Sequence, residues 1–129
     1  LRKATAEAWI EVSALATIEA ISEGKVPKGN VLEVARTAGL FGVKRTSDLI
    51  PDCHPLPVEF TQVNYEFHGL KVRIMVEVHT VYKTGVEVEA MTGASIVALT
   101  CVKPSAVAES DVSAVQVGSA TLYAGAEVT

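Results

Sequence analysis

Residues 70–78 read Leu-Lys-Val-Arg-Ile-Met-Val-Glu-Val, with an apolar side chain at every second position. Only an extended strand gathers that period onto one face. Leu70, Val72, Ile74, Val76 and Val78 are expected to face a core, and Lys71, Arg73, Glu77 and His79 to face away. The His68-Gly69 pair supplies a turn, so residues 57–67 and 70–81 read as a hairpin. A second alternation spans residues 2–12. Ala4, Ala6, Ala8, Ile10 and Val12 share one side, and Lys3, Thr5, Glu7, Trp9 and Glu11 the other. It reads as another half-buried strand.

A sheet that is apolar on one face needs a cover, and the rest of the chain supplies helices. Ser13 can cap a short helix carrying Leu15, Ile18 and Ile21, stopped by Gly24. Pro27 and Gly29 break the chain before a second helix. Asn30 and Glu33 stand at capping-box spacing at its start. This helix is expected to run to about Leu49, before Pro51. Its Ala35, Ala38, Gly39 and Gly42 suit close approach of another backbone, or ordinary packing on a sheet. Thr84 and Glu87 repeat the capping-box spacing and open a helix reaching Thr100. Residues 111–124 read as a last strand, with Val115 and Val117 among its apolar positions. The order β-α-α-β-β-α-β gives an α+β protein, an antiparallel sheet with helices on one face, a ferredoxin-like sandwich.

The 129 residues make one domain, residues 1–129, large enough for a core without disulfides or metals. Apolar residues reach 49% and charged residues only 20%, so part of the surface is expected at an oligomer interface. The net charge of −4 argues against nucleic acid as the main partner. Lys25, Lys28, Arg36, Lys44 and Arg45 cluster, which suits a local anion pocket. Cys53 and Cys101 form no Cys-x-x-Cys pair, and reduced cytoplasmic thiols are the simpler reading. No apolar run approaches the roughly 20 residues of a membrane span, and no secretory signal is legible.

Lys28 precedes a helix start, where free amides and the helix dipole attract anions. It reads as a phosphate ligand or as a solvated lysine. Lys44 and Arg45 sit near a helix end, where the dipole alone favours cations. Cys53-His54 is sharper. Pro51 and Pro55 stiffen both sides, as a positioned acid or base requires; a structural histidine is the alternative. Zinc would need two or three further ligands, which the neighbouring sequence lacks. Glu87 and Glu89 share a face only on extended chain and diverge by about 200° on a helix. They are therefore expected to serve one pocket only if the chain is still extended at Glu87. His68 and His79 read as hairpin-tip and sheet-surface residues.

Taken together, the motifs resemble a known family. Lys28-Gly29-Asn30-Val31, Ala35-Arg36, Ala38-Gly39, Lys44 through Pro55 with its Leu49-Ile50-Pro51-Asp52-Cys53-His54-Pro55 ending, Lys83-Thr84-Gly85-Val86-Glu87-Val88-Glu89-Ala90 and Ala98-Leu99-Thr100 follow its order and spacing. The family is cyclic pyranopterin monophosphate synthase, the molybdenum cofactor biosynthesis protein C family. The resemblance implies a lyase that rearranges 3′,8-cyclo-7,8-dihydro-GTP to cyclic pyranopterin monophosphate and releases pyrophosphate, with no cofactor and no metal. It implies Lys28, His54, Glu87, Glu89 and Lys103 as catalytic residues, and Arg2, Cys53 and Lys83 as substrate-binding residues. It implies a hexamer, a trimer of dimers, with sites at the dimer interface. Asn30 and Asp52 replace the family's Asp and Leu. After Thr100 the chain reads Cys101-Val102-Lys103-Pro104, and the family's aspartate before the second lysine has no counterpart. A catalytically impaired member and a non-enzymatic α+β binding module are the competing readings.

Overall fold

The alternating stretches build the middle of the sheet. In the computed structural model, which describes residues 1–23, 30–105 and 112–124, β1 is Arg2–Val12 and β3 is Lys71–Thr80. They pair antiparallel, with Ala4 opposite Val78 and Ile10 opposite Val72. Strand β2 (Phe60–His68) flanks β3, and β4 (Val112–Ala124) flanks β1, giving the order β2-β3-β1-β4. Every pairing is antiparallel. This is the split β-α-β arrangement expected.

Helices α1 (Leu15–Ser22), α2 (Val31–Lys44), α3 (Thr46–Leu49) and α4 (Glu87–Ser105) follow in chain order around these strands. Helix α4 packs on β1 and β3, and α2 packs beside α4 and reaches β2. Between them lie the fully buried Ala4, Ala6, Ala8, Ile74, Val76, Val78, Ala94 and Val97. A buried Val or Ile stabilises by about 1.5–3 kcal/mol, so this layer drives folding. Small residues let the two helices approach. A Cβ on Gly42 would stand 2.9 Å from Ile96, one on Gly93 would stand 2.6 Å from Val43, and one on Gly39 would overlap Val97. The close partner of the small-residue face of α2 is therefore α4. Arg36 donates to the Val63 carbonyl at 2.6 Å and the Tyr65 hydroxyl to the Leu32 carbonyl at 2.9 Å, fastening α2 to β2.

Several expectations are corrected. Leu70 does not face the core. It sits in the two-residue turn Gly69-Leu70 and is exposed, and Gly69 takes a φ of +59° that the reversal needs. Ser13 does not cap α1; Ala14 holds that position without a side-chain bond, and Leu15 is exposed while Thr17, Ile18 and Ile21 are buried. Gly24 lies outside the described residues. Asn30 does cap α2, accepting from the Glu33 amide at 3.3 Å. The helix breaks at Arg45 rather than running on to Leu49. There the Thr46 hydroxyl bonds back to the Gly42 and Val43 carbonyls, competing with the backbone ladder. Strand β2 begins at Phe60, not residue 57, since Pro55 and Pro57 cannot donate to a ladder. Helix α4 begins at Glu87, not at Thr84, because the fully buried Val86 holds the chain in the core until that point.

Candidate active site

Two segments meet at the start of α4. The first is the proline-bounded turn after α3. The Cys53 amide donates to the Ile50 carbonyl at 3.0 Å, closing it. Its far end is tied to β3, where the Glu59 amide donates to the His79 carbonyl at 2.9 Å and the Thr80 hydroxyl donates to the Pro57 carbonyl. The second is the 81–86 connection from β3 into α4. Arg2 donates to the Lys83 carbonyl at 3.1 Å and anchors it to the start of β1. Between the segments lies a cavity of about 450 Å³. Asp52, Cys53, His54 and Leu56 line one wall; Tyr82, Lys83, Thr84, Gly85, Glu87, Val88 and Glu89 line the other.

Glu87 and Glu89 both line this cavity although both are helical, which corrects the expectation that they need extended chain. Both stand in the first turn, where Cα–Cβ bonds tilt toward the helix N-terminus. The 52–56 loop wraps that end, so residues on different helix faces reach one space. The N-terminal amides of α4 also place the positive end of the helix dipole here.

The two carboxyls differ. Glu89 is only 5% exposed. Burial pushes its pKa up, its own amide opposes this by a hydrogen bond, and the charge of Glu87 pushes it up further. Glu87 is half-buried, and its Oε2 is buried without a hydrogen-bond partner among the described residues. Burial raises the Cys53 pKa too, and Glu89, Asp52 and Glu87 add to the rise. Cys53 is thus held as a neutral thiol, a contact group rather than an activated nucleophile. The Lys83 ammonium lies 6.0 Å from the centre of the Tyr82 ring.

The structure therefore brings together His54, Glu87, Glu89, Cys53 and Lys83. Arg2 does not line the cavity; it secures the backbone of a residue that does. Lys28 lies outside the described residues, and Lys103 is described only as a position in the last turn of α4. Among the described residues no three His, Cys, Asp or Glu side chains gather as metal ligands could, and no helix is long and apolar enough to cross a membrane. Tyr82 and Leu56 escaped the sequence reading, and Thr84 and Asp52 entered it only as a helix cap and as a departure from the family motif, not as site residues. Tyr82 and Thr84 flank or belong to the Lys83 motif, and that adjacency was the available signal.

Residues 1–119 match the MoaC family. A probable cyclic pyranopterin monophosphate synthase of Pyrococcus furiosus is 48% identical over 84 residues, 65% of this chain and 54% of that protein. The one of Methanococcoides burtonii is 51% identical over 84 residues, 65% of this chain and 53% of that protein. The one of Sulfurisphaera tokodaii is 46% identical over 102 residues, 78% of this chain and 66% of that protein. The matched stretch thus spans between 53% and 66% of the length of these relatives. With the family match taking in all but its last residues, this chain belongs to the MoaC family.

Proposed function

We propose that this chain is a cyclic pyranopterin monophosphate synthase, acting on 3′,8-cyclo-7,8-dihydro-GTP in molybdenum cofactor biosynthesis and releasing pyrophosphate. The observation that carries this reading is the convergence of Cys53, His54, Lys83, Glu87 and Glu89 on one cavity at a helix N-terminus. Opening a ring and reclosing it as a pterin moves protons between nitrogen, carbon and oxygen. A carboxyl that keeps its proton to higher pH than an ordinary glutamate suits that work, and burial raises the pKa of Glu89 in that direction. The unpaired Oε2 of Glu87 can accept from a ring N–H. His54, fixed between prolines, supplies a second proton acceptor or donor.

Forming the cyclic phosphate breaks a phosphoanhydride bond and releases pyrophosphate, so charge must be neutralised there. Lys83 and the helix dipole face Asp52, Glu87 and Glu89 in the described cavity. That balance suits the ring system better than a triphosphate. The proposal therefore assigns Lys28 and Lys103 to the phosphates, and Arg2 to holding the Lys83 segment. Exposed Val34, Phe41, Leu49 and Leu99 support assembly into a hexamer, a trimer of dimers with shared sites. A cytoplasmic location fits two free thiols.

The test is incubation with the cyclised dihydro-GTP while pyrophosphate is followed. Stoichiometric release is expected, and its absence overturns the reading. The altered sequence after Thr100, without the family's aspartate, favours an impaired member as the second reading; that protein would bind the substrate and release no pyrophosphate. Light scattering that returns a monomer mass at micromolar concentration would remove the hexamer.

A further inference from the structure

Beside the main cavity lies a second one, of about 50 Å³. Lys44, Thr46, Ser47, His54 and Glu89 supply its polar lining. His54, Leu56 and Glu89 line both cavities, so the buried carboxyl of Glu89 borders two spaces. A cavity needs only about 10–15 Å³ to hold one water, and polar cavities are hydrated where apolar ones stay dry. The Thr46 side chain is 1% exposed, and its hydroxyl donates into the Gly42 and Val43 carbonyls at 2.9 and 3.1 Å, which leaves its oxygen free to accept. Lys44 is exposed, so the far wall of this chamber borders solvent.

We infer that the chamber is a water-filled proton relay serving Glu89, with Ser47 and Lys44 as positioning residues along it. The inference rests on the reading of the larger cavity as the active site. When substrate fills that cavity, its direct path to water closes. A proton leaving Glu89 then passes to chamber water and from there to solvent beside Lys44. The same path in reverse reloads the carboxyl for the next turnover. The charged and titratable groups bordering Glu89 across the two cavities are Glu87 on α4, Asp52, Cys53 and His54 on the loop, Lys44 on α2, and Tyr82 and Lys83 before α4.

Two measurements test this on the full chain. A high-resolution crystal structure should show ordered water in the chamber within hydrogen-bond distance of the Glu89 carboxyl; a dry chamber overturns the relay. Ser47→Val should fill the space and exclude water. Its kcat should fall about 10–10²-fold, less than loss of the acid itself, with KM held and a larger solvent deuterium isotope effect. The carboxyl resonance of Glu89 should titrate at higher pH in that variant. Ser47→Ala, which keeps the space and removes only one polar contact to the water, should lose clearly less kcat than Ser47→Val. An unshifted Glu89 titration in a folded Ser47→Val protein overturns the relay. Should Ser47→Val fail to fold, the water in the wild-type crystal decides. Absent pyrophosphate release overturns the functional reading alone, since neither the ordered water nor the titration requires turnover.

Discussion

Carboxylates in two regions of this molecule are held in opposite states. On the open face of the sheet, Arg73 grips Glu7 through contacts of 3.0 and 3.1 Å and Glu66 through one of 3.1 Å. The Arg73 hydrogen bond pulls the Glu7 pKa down, and Trp9 adds a bond at 2.5 Å. Glu66 is pulled down by its hydrogen bond with His68 and then by Arg73. At the start of α4, Glu89 is buried beside Glu87 and pushed up instead. The first arrangement fixes charge and ties three strands together. The second leaves a carboxyl that holds its proton to higher pH than an ordinary glutamate. Paired charge serves the fold, while a carboxyl raised by burial and a neighbouring carboxylate is available for chemistry.

Replacing Glu89 by Gln breaks the comparison most severely. Turnover of the cyclised dihydro-GTP should fall by about 10²–10⁴-fold, as loss of a positioned proton carrier does. The thermal midpoint at neutral pH should hold or rise, because a costly buried charge is removed. A variant with near-normal kcat would take Glu89 out of the proton chemistry. Arg73→Met should give the converse, a lower Tm at neutral pH with turnover per folded molecule unchanged. It leaves Glu7 on β1 and Glu66 on β2 as like charges flanking a vacated site on β3, the strand between them. A loss of activity larger than the loss of folded protein would mean that the open face also serves the site.

The two kinds of carboxylate were not equally legible in the sequence. The central strands were, because period two in β1 and β3 admits no other structure. Register then places Glu7, Glu66 and Arg73 on one side of the sheet, but nothing in the sequence sets that register. The break at Arg45 carries no Gly or Pro signal; it falls where Thr46, at the start of α3, bonds back to the last-turn carbonyls of α2. The start of α4 was misplaced because burial of Val86 outweighed a good capping pattern. In the site, motif resemblance singled out Cys53, His54, Lys83, Glu87 and Glu89. The small chamber and the walls made by Tyr82 and Leu56 are products of tertiary shape, with no local pattern to announce them.

The pH dependence of stability should show the same opposition on a smaller scale. Glu7 and Glu66 have folded pKa values below their unfolded ones. Their contribution is complete above the ordinary glutamate range and disappears as pH falls through the depressed values. Thermal scans should therefore show wild type losing stability on the acid side, and Arg73→Met losing less there because it lacks the clamp.

Glu89 runs the other way. Its folded pKa lies above its unfolded one, so the unfolded chain gives up this proton first as pH rises. Stability from this group should therefore decline as pH climbs from the ordinary glutamate range through the raised value, and level off beyond it. Glu89→Gln has no proton to lose, so its Tm advantage over wild type should grow across that window and vanish at its acid end. The effect is the smallest of those expected, because one group acts against the whole titration of the protein, but its sign is opposite to that of Glu7 and Glu66. Parallel Tm curves for wild type and Glu89→Gln from acid to neutral pH would show that Glu89 titrates like any surface glutamate, and the contrast between the two regions would fail.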